Sequence, residues 1–398
     1  MMLKKIAIKT LRVFIKIRKS YQIGKLTKKP NHKPIRIGFI VQMPAIWDKQ
    51  IDIYDEFLKK DNVDVFMFVV PKYNLENNDI DHEYGNNYFL NKYPNAIKVL
   101  NENDEIICLE KYNLDYLFYP RPYDSYLPKE IRSDVMYKYC KCCYMPYGLT
   151  GSKVFDDLGY VFFDNMYCCF MDSDYQKELL ISHYPISYFL KNRKVYSLGY
   201  PVFSRFLDYP VVNNIKTITW TPRWSVDAKI GGSNFLEYKD NFLKMVTNKK
   251  YQYIFRPHPL MFDELIKKGF ISEEDKNNFL QALIENNVLF DTECPIEEIF
   301  YKTDLLITDY SSIIPQFFVT NRPIIYCDKG IPINDDYKKI MKHCYIANSW
   351  NDVEENIKQI LIEGDRKKTN RQNYISATFE NSRRASQRIV NEIIKNNL

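Results

Sequence analysis

Two short segments combine residue types that could hold and split a diphosphate. The sequence TDYSS at residues 308–312 follows an apolar run, and a second apolar run begins at Ile313. The sequence RPHP at residues 256–259 follows the apolar run 251–255. The first N–H groups of a helix have no partners within the helix, so a strand that ends in serines at a helix start predicts an anion site. A cation and an imidazole at a second strand end fit the same ligand.

His258 is the strongest single candidate for a catalytic role. It is one of five histidines in the chain and stands between two prolines, which restrict the local backbone. An imidazole titrates near neutral pH, so it could move a proton or donate to a phosphate oxygen. The alternative is an ordinary turn histidine, and the nearby serine pair favours the catalytic interpretation.

The serine segment and two arginines complete the expected donor site. Ser311 and Ser312 could simply cap the following helix, but capping and phosphate binding are compatible. We expect Asp309 to orient a donor group or to bind a hydroxyl, as a further catalytic candidate. Guanidinium groups suit bidentate phosphate contacts. The expected phosphate-binding residues are Arg223 (in TPRW, 221–224), Arg256, Thr308, Ser311 and Ser312.

Strands and helices must alternate to bring these segments together. Near-continuous apolar runs such as 35–42 and 215–220 predict central parallel strands, with helical segments between the runs. The pattern restarts after residue 205, which predicts an α/β chain of two Rossmann-like domains with a cleft between them. We divide the chain into an arm (1–34), an acceptor-side domain (35–205) and a donor-binding domain (206–398). The motifs G-x-G-x-x-G and G-x-x-x-x-G-K-[ST] are absent from the sequence, which argues against NAD enzymes and P-loop NTPases.

The charge of the chain is concentrated in its arm. Residues 1–47 hold twelve Lys or Arg residues and no acid, so the rest carries 56 − 12 = 44 bases against 50 acids. The body is therefore slightly acidic, which argues against nucleic-acid binding. Leu3, Ile6 and Phe14 can share one face of a helix, a pattern typical of a basic helix in an anionic membrane interface. We expect a cytoplasmic protein, peripheral on the inner face of the membrane, with contacts from Lys4, Lys5, Lys9, Arg12, Lys16, Arg18 and Lys19. A solvated tail or a helix packed on a partner is the alternative.

The nine cysteines indicate a reducing compartment rather than a metal site. Cys140 and Cys143 have C-x-x-C spacing, but no second such pair completes four ligands. Both cysteine clusters lie in apolar, strand-like runs, so we expect buried thiols. We predict no metal and no cofactor.

These segments resemble one known family. TPRW (221–224), RPHP (256–259) and TDYSSI (308–313), in this order, are similar to segments of the CDP-glycerol glycerophosphotransferases, the teichoic-acid primases and polymerases. GYP at 199–201 resembles the family's Gly-x-Pro segment. The resemblance covers roughly residue 195 to the end. It implies a GT-B-type fold, a CDP-activated polyol as donor, His258 and the serines at the donor phosphates, and a looser role for Arg383 and Arg384.

One position departs from the family pattern. The family usually carries Trp-His-Gly in the first domain, and its histidine is the presumed base on the acceptor hydroxyl. Here MPYGL stands at residues 145–149, so Tyr147 takes the place of the histidine. Tyrosine is a poor base at neutral pH, because its ordinary pKa is about 10. Either Asp124, Asp156 or another residue is the base, or the transferred group and acceptor differ.

The resemblance implies transfer of a polyol phosphate to a hydroxyl of a lipid-linked or surface glycan, with CMP as the product. One alternative is a glycosyltransferase of the same fold that uses a CMP-sugar, since sialyltransferases look similar around their His-Pro and Ser-Ser residues. The other is an inactive scaffold of a wall or capsule assembly complex.

Overall fold

The chain forms two α/β units, each built around a parallel sheet. A computed structural model describes residues 2–73, 80–81, 85–101, 103, 105–149, 151, 161–184, 192–210, 215–227, 232–292 and 295–395, with the side chains of 2–9, 72–73 and 80–81 outside the description. The first unit comprises residues 1–148, 157–204 and 381–398, and the second comprises 149–156 and 205–380.

The elements alternate along the chain as βα repeats require. The strands are β1 (Ile35–Val41), β2 (Val63–Val69), β3 (Lys72–Tyr73), β4 (Ile80–Asp81), β5 (Ala96–Lys98), β6 (Tyr116–Tyr119), β7 (Lys141–Tyr144), β8 (Cys168–Phe170), β9 (Lys194–Tyr196), β10 (Thr217–Thr221), β11 (Gln252–Phe255), β12 (Leu289–Phe290), β13 (Leu305–Thr308), β14 (Ile324–Cys327) and β15 (Tyr345–Ala347). The helices are α1 (Met2–Thr27), α2 (Pro44–Trp47), α3 (Ile51–Leu58), α4 (Asn86–Lys92), α5 (Ser133–Met136), α6 (Asp174–His183), α7 (Phe235–Val246), α8 (Met261–Lys267), α9 (Glu273–Glu285), α10 (Ile296–Lys302), α11 (Ile313–Phe318), α12 (Asp335–Met341), α13 (Trp350–Glu363), α14 (Lys368–Thr378) and α15 (Ala385–Lys395).

Both sheets have the strand order of dinucleotide-binding folds. The first sheet runs β5-β2-β1-β6-β7-β8-β9 and the second runs β12-β11-β10-β13-β14-β15, with every pair in these sheets parallel. Renumbered within each unit, the order is 3-2-1-4-5-6, with a seventh strand in the first. In such sheets the order reverses between strands 1 and 4, and ligands bind beyond the carboxyl ends at that point. The switch points are β1/β6 and β10/β13.

Apolar side chains on both faces hold each sheet in place. In β10 every residue is buried, and Trp220 packs on Phe242 with ring centroids 4.7 Å apart. In the first unit Phe39 of β1 stacks on Phe118 of β6 at 4.8 Å. Burial on both faces explains why these strands are continuous apolar runs rather than alternating ones. The predicted two Rossmann-like domains are confirmed.

The last helix departs from the expected domain division. We assigned residues 206–398 to one domain, but α15 packs on α3 of the first unit. Its apolar face is buried there, and Tyr196 donates a hydrogen bond to Glu392 at 2.7 Å. Gly199 allows the segment before α15 to lie against the chain that follows β9, because a Cβ at this position would lie only 2.9 Å from Ser382 Cα. Its φ of +88° is also a conformation that glycine adopts without strain. An amphipathic helix requires an apolar surface, but its sequence does not indicate which sheet provides one.

Helix α1 is half packed and half exposed. At its carboxyl end, Ile23 and Leu26 are buried. Further toward the amino end, large apolar side chains are exposed, and Phe14 is 65% exposed. None of the described helices combines the length and hydrophobicity that crossing a bilayer requires.

Candidate functional site

The candidate site lies at the switch point of the second sheet. Thr221 of β10 and Thr308 of β13 are paired neighbours at the carboxyl ends of their strands. The chain segments that leave these two strands carry Arg223 and residues 309–312. Because parallel strands end at the same edge of a sheet, the two segments begin side by side at the place where such folds bind ligands.

The Arg-Pro-His segment reaches the same edge from the next strand. It leaves β11, which pairs with β10 in parallel. The His258 N–H donates a hydrogen bond to the Pro222 carbonyl at 3.1 Å. This main-chain hydrogen bond joins the segments that follow β10 and β11, so all three chemistry-bearing segments meet at one sheet edge.

Asp309 holds this edge together rather than facing a ligand. It is 1% exposed, and its carboxylate accepts hydrogen bonds from the main-chain N–H groups of Arg223 (2.8 Å) and Asn234 (3.2 Å). The Asn234 side-chain amide (2.7 Å) and the Ser233 hydroxyl (3.3 Å) donate to it as well. Burial raises the pKa of Asp309, and these donors oppose that shift. The carboxylate thus joins the ends of β10 and β13 to the start of α7.

Arg223 is fixed over the aromatic ring that follows Asp309. Its guanidinium donates to the Tyr310 carbonyl at 2.9 Å and lies 5.0 Å from the centroid of the Tyr310 ring. Burial lowers the pKa of Arg223, but a guanidinium keeps its charge at neutral pH. The site therefore carries a positioned positive charge at the switch point.

His258 has a defined tautomer in its neutral form. The main-chain N–H of Leu260 donates to His258 Nδ1 at 3.2 Å, so Nδ1 is the acceptor and Nε2 carries the proton. The residue keeps part of its surface exposed, yet the protein around the ring removes enough hydration to lower the pKa to about 4, and the charge of Arg223 contributes to this shift. At neutral pH the unliganded protein therefore presents an imidazole N–H rather than an imidazolium.

The serine pair lies at the start of a short helix. Ser312 occupies the N-cap position of α11 but makes no capping hydrogen bond through its side chain, and the residue is exposed. The Ser311 carbonyl accepts a hydrogen bond from the Tyr337 hydroxyl, and the Tyr310 and Tyr337 rings are 5.5 Å apart. The Ser312 hydroxyl is therefore not used to cap α11.

A short stretch from the middle of the chain supports this aromatic pair. The Gly151 N–H donates to the Tyr310 hydroxyl at 3.1 Å, and the Gly151 carbonyl accepts from the Asn334 N–H at 2.7 Å. A Cβ at Gly151 would lie 2.1 Å from the Tyr337 ring. Nothing in the local sequence marks Gly151, Tyr337 or Ser233 as part of the site, because their roles depend on tertiary contacts.

Two predicted phosphate contacts have structural partners instead. Thr308 is fully buried, and its hydroxyl donates to the main-chain carbonyls of Thr221 (3.3 Å) and Asp309 (2.9 Å). Arg256 forms an ion pair with Asp291, which follows β12 and is itself buried. The sequence interpretation missed Asp291 because its pairing with Arg256 is a tertiary contact that the local sequence does not show. Thr308 is corrected to a core residue, since its side chain does not reach the surface.

Tyr147, Arg383 and Asp124 belong to the first unit. Tyr147 follows β7 and is 37% exposed. Arg383 lies in the 3-10 helix Glu380–Arg384 and is exposed. Asp124 accepts hydrogen bonds from the Ser133 N–H (2.8 Å) and hydroxyl (2.6 Å), and burial raises its pKa, so it has a structural role at the start of α5. Asp156 lies outside the described residues.

The cysteine clusters are buried in the first sheet. Cys143 and Cys168 are neighbours on β7 and β8, and burial raises the pKa of both thiols. Within the described part of the chain, no group of three His, Cys, Asp or Glu side chains is arranged to hold a metal ion.

Comparisons with known proteins agree with the resemblance seen in the motifs. Residues 205–395 match the family model described as CDP-Glycerol:Poly(glycerophosphate) glycerophosphotransferase. None of the curated protein sequences compared with the chain matches it.

Among solved structures, the wall teichoic acid polymerase TagF is similar at 17% identity, with a TM-score of 0.57 over 98% of this chain and 95% of TagF. A TagF variant soaked with CDPG is also similar (TM-score 0.54, 16% identity, 98% of this chain and 96% of that chain). The UDP-GlcNAc 2-epimerase of Methanocaldococcus jannaschii is similar at 11% identity, with a TM-score of 0.56 over 91% of this chain and 100% of the epimerase.

The structural likenesses show a shared GT-B-like fold, which epimerases and a polymerase both use. The family model adds what the fold alone does not, because it matches the part of the chain that carries Arg223, His258 and the serine pair. Residues 205–395, a little under half of the chain, therefore match the CDP-glycerol:poly(glycerophosphate) glycerophosphotransferase family, which supports a transferase.

Proposed function

We propose that the protein transfers a polyol-phosphate unit, similar to glycerol phosphate, from a CDP-activated donor to a hydroxyl group of a lipid-linked or surface glycan. CMP is the second product. The observation that carries this proposal is the meeting of Arg223, His258 and Ser311–Ser312 at the switch point of the second sheet. The match of residues 205–395 to a CDP-glycerol transferase family model supports the choice of donor.

The positive charge and the hydroxyls suit a diphosphate. Arg223 offers a guanidinium that its stacking on Tyr310 already orients, so less entropy is lost when a phosphate binds. Ser311 and Ser312 add hydroxyl donors beside the start of α11. Since α11 has only six residues, we attribute anion binding to these local donors rather than to a long helix dipole.

His258 would act as a neutral hydrogen-bond donor. Its Nε2 is the proton-bearing nitrogen, and donation to a non-bridging or leaving phosphate oxygen requires no prior protonation. A bound diphosphate brings negative charge close to the ring and thereby raises the pKa of His258. The residue could then also pass a proton to CMP as it leaves.

The reaction is a substitution at phosphorus. The acceptor oxygen forms a bond to the β-phosphorus of the donor, and the bond from that phosphorus to the bridging oxygen breaks. CMP keeps the bridging oxygen and the bonding electrons, and the acceptor hydroxyl loses its proton to a base. Positioning and charge stabilisation supply most of the rate in such transfers. Because a phenol is a poor base at neutral pH, we assign Tyr147 to acceptor binding instead.

The test is CMP release by the purified chain from CDP-glycerol, CDP-ribitol and CMP-sialic acid, each with membrane extract as acceptor. We expect turnover of a CDP-polyol, and we expect His258→Ala to lower kcat by about a hundredfold or more, as for loss of one donor to a transition-state oxyanion. His343→Ala is the matched control, since His343 stacks on Tyr374 rather than lying beside the Arg223 segment.

Turnover of the CMP-sugar alone would move the protein to the glycosyltransferases. A folded His258→Ala variant with the wild-type rate would remove His258 from the mechanism.

Helix α1 would place this reaction at a membrane. We propose that its exposed side chains, Leu11, Phe14 and Ile15 with Arg12 and Arg18, lie in an anionic membrane interface. Two lysines of the predicted contact set face the protein instead. Lys16 Nζ is 4.0 Å from Asp164 Oδ1, and Lys19 is half-buried, 5.7 Å from the Tyr137 ring centroid, where burial lowers its pKa. Lys4, Lys5 and Lys9 lie outside the described side chains.

A further inference from the structure

The main-chain carbonyl of Ser311 is turned into the protein by two donors. It accepts hydrogen bonds from the Tyr337 hydroxyl and from the main-chain N–H of Ile314, the latter at 3.2 Å. These two donors use both lone pairs of the carbonyl oxygen. Tyr337 is 3% exposed, so the negative end of this carbonyl dipole points at a buried side chain rather than toward solvent.

The same peptide group offers a donor on its other side. The peptide bond between Ser311 and Ser312 is trans, so its N–H points away from its carbonyl and therefore away from Tyr337. Ser312, which carries this N–H, is exposed. The Ser311 hydroxyl oxygen accepts from the N–H of Ile313 at 3.4 Å, which leaves the hydroxyl proton for a ligand. One buried phenol thus fixes the peptide group that joins the two serines.

The position of the Tyr337 ring is itself fixed by contacts with distant parts of the chain. The N–H of Tyr337 donates to the Asn334 side chain at 3.0 Å, and this bond caps α12. The Asn334 N–H donates to the Gly151 carbonyl at 2.7 Å, and the ring fills the space that a Cβ at Gly151 would need. The Tyr310 ring lies 5.5 Å away. The hydroxyl is therefore in place before a ligand binds, so less entropy is lost on binding.

The Tyr337 hydroxyl keeps its proton at neutral pH and above. Burial raises the pKa of Tyr337 well above its ordinary value, the phenols of Tyr310 and Tyr326 add to the shift, and Arg223 opposes it. The group is therefore a permanent donor to the Ser311 carbonyl. A phenylalanine at this position would fill the same space and would lack only the donor.

We propose that Tyr337 is a positioning residue for the donor phosphates and acts through the peptide group of Ser311 and Ser312. The inference rests on the proposed function, because it assigns a task within that donor site. Without the Tyr337 hydroxyl the peptide group is free to turn, and the carbonyl can then face the diphosphate in place of the N–H. Tyr337 acts on the phosphates only through this peptide group, so the nucleoside should bind independently of its hydroxyl.

The test separates binding of the phosphates from binding of the nucleoside. Isothermal titration of the full chain would use cytidine, CDP and inorganic diphosphate as probes. In Tyr337→Phe we expect affinities for CDP and for diphosphate that are about tenfold weaker, and a change of less than about twofold for cytidine. A merely structural role would weaken binding of cytidine and CDP together or change neither.

Two further variants serve as control and as independent perturbation. Tyr345 is a buried tyrosine of the same unit whose hydroxyl donates to Asp365 at 3.0 Å, but it begins β15 and so lies at the opposite edge of the sheet. Tyr345→Phe should lower the melting temperature about as much as Tyr337→Phe and keep the wild-type affinity for all three probes. Gly151→Ala keeps the Tyr337 hydroxyl but displaces the ring, so it should weaken CDP binding by about threefold more than cytidine binding.

Equal losses for cytidine and CDP in folded Tyr337→Phe would overturn the inference. Wild-type affinity for CDP in that variant, or an equal loss of CDP affinity in Tyr345→Phe, would overturn it as well. The proposed function fails separately, because it depends on CMP release. A loss confined to CDP and diphosphate, with no turnover of any CDP-polyol, would leave Tyr337 in its role and remove the reaction. Turnover of a CDP-polyol with unchanged CDP affinity in Tyr337→Phe would do the reverse.

Discussion

Two residues that share one sheet edge, Asp309 and His258, have different tasks there. Asp309 is enclosed by four donors, whereas His258 keeps part of its surface exposed and directs its proton-bearing nitrogen away from its own hydrogen bond. The residue types could be predicted from the sequence as members of one site. The structural role of Asp309 could not be predicted, because its partners Ser233 and Asn234 lie 75 or more positions away along the chain.

Replacing Asp309 should therefore damage the fold of the second unit. In Asp309→Asn one oxygen becomes an NH2 group, which faces N–H donors and leaves at least one of them buried without an acceptor. We expect a loss of about 2–4 kcal/mol in the free energy of unfolding, measured by urea denaturation. Asp240→Asn is the control, because Asp240 is exposed and should change stability by less than about 0.5 kcal/mol. An Asp309→Asn protein of wild-type stability but without activity would instead support direct catalysis by Asp309.

The pKa of His258 predicts a specific titration. A folded-state pKa of about 4 lies below the ordinary value of about 6.5, so the ring gains its proton only as the pH falls through about 4 and stays neutral above it. NMR of the imidazole should give this midpoint in the free protein. CDP should raise the midpoint, because its phosphates favour the imidazolium, and Arg223→Gln should raise it by removing a nearby positive charge. A midpoint near the ordinary value in the free wild type would show that the ring is not desolvated.

Among the secondary-structure elements, those within apolar runs could be placed from the sequence, but several three-residue strands could not. Strands β1 and β10 lie within one or two residues of their predicted bounds, 35–42 and 215–220. Strands β5, β9 and β15 have three residues each and lacked a clear signal. Short strands depend on the neighbours that pair with them, and a single sequence does not show that pairing. The contacts of Asp291 with Arg256 and of Gly151 with Tyr337 likewise depend on tertiary neighbours.

The packing of Gly151 on α12 can be tested by adding one methyl group. In Gly151→Ala the Cβ would lie 2.1 Å from the ring of Tyr337, a buried side chain whose hydroxyl donates to the Ser311 carbonyl. We expect a loss of about 1–3 kcal/mol in unfolding free energy and a higher KM for the donor, because the ring must move with the serine segment. Gly232→Ala is the control, since its Cβ would meet nothing within 4 Å. Unchanged stability and KM in Gly151→Ala would contradict this packing role.

For the whole molecule, the expected membrane attachment depends on one helix. The arm holds the excess positive charge of the chain, and the exposed part of α1 adds large apolar side chains. Deleting residues 1–18 should release the protein from vesicles containing phosphatidylserine at moderate salt, as co-sedimentation would show, while Ser20, Ile23 and Leu26 keep their packing. Neutral vesicles serve as the control for charge. Persistent binding of the shortened chain to anionic vesicles would rule out α1 as the attachment.

The return of α15 to the first unit also sets an order of events during synthesis. Ala385, Ile389, Val390 and Ile393 cover an apolar surface of the first unit, but they follow the second unit in the chain and leave the ribosome after it. The first unit therefore cannot finish folding when its own sheet is complete. Its surface beside α3 stays uncovered until α15 has been made. A chain that ended just before α15 would contain every strand of both sheets and leave the first unit open, so synthesis of this helix is itself a condition for a closed first unit.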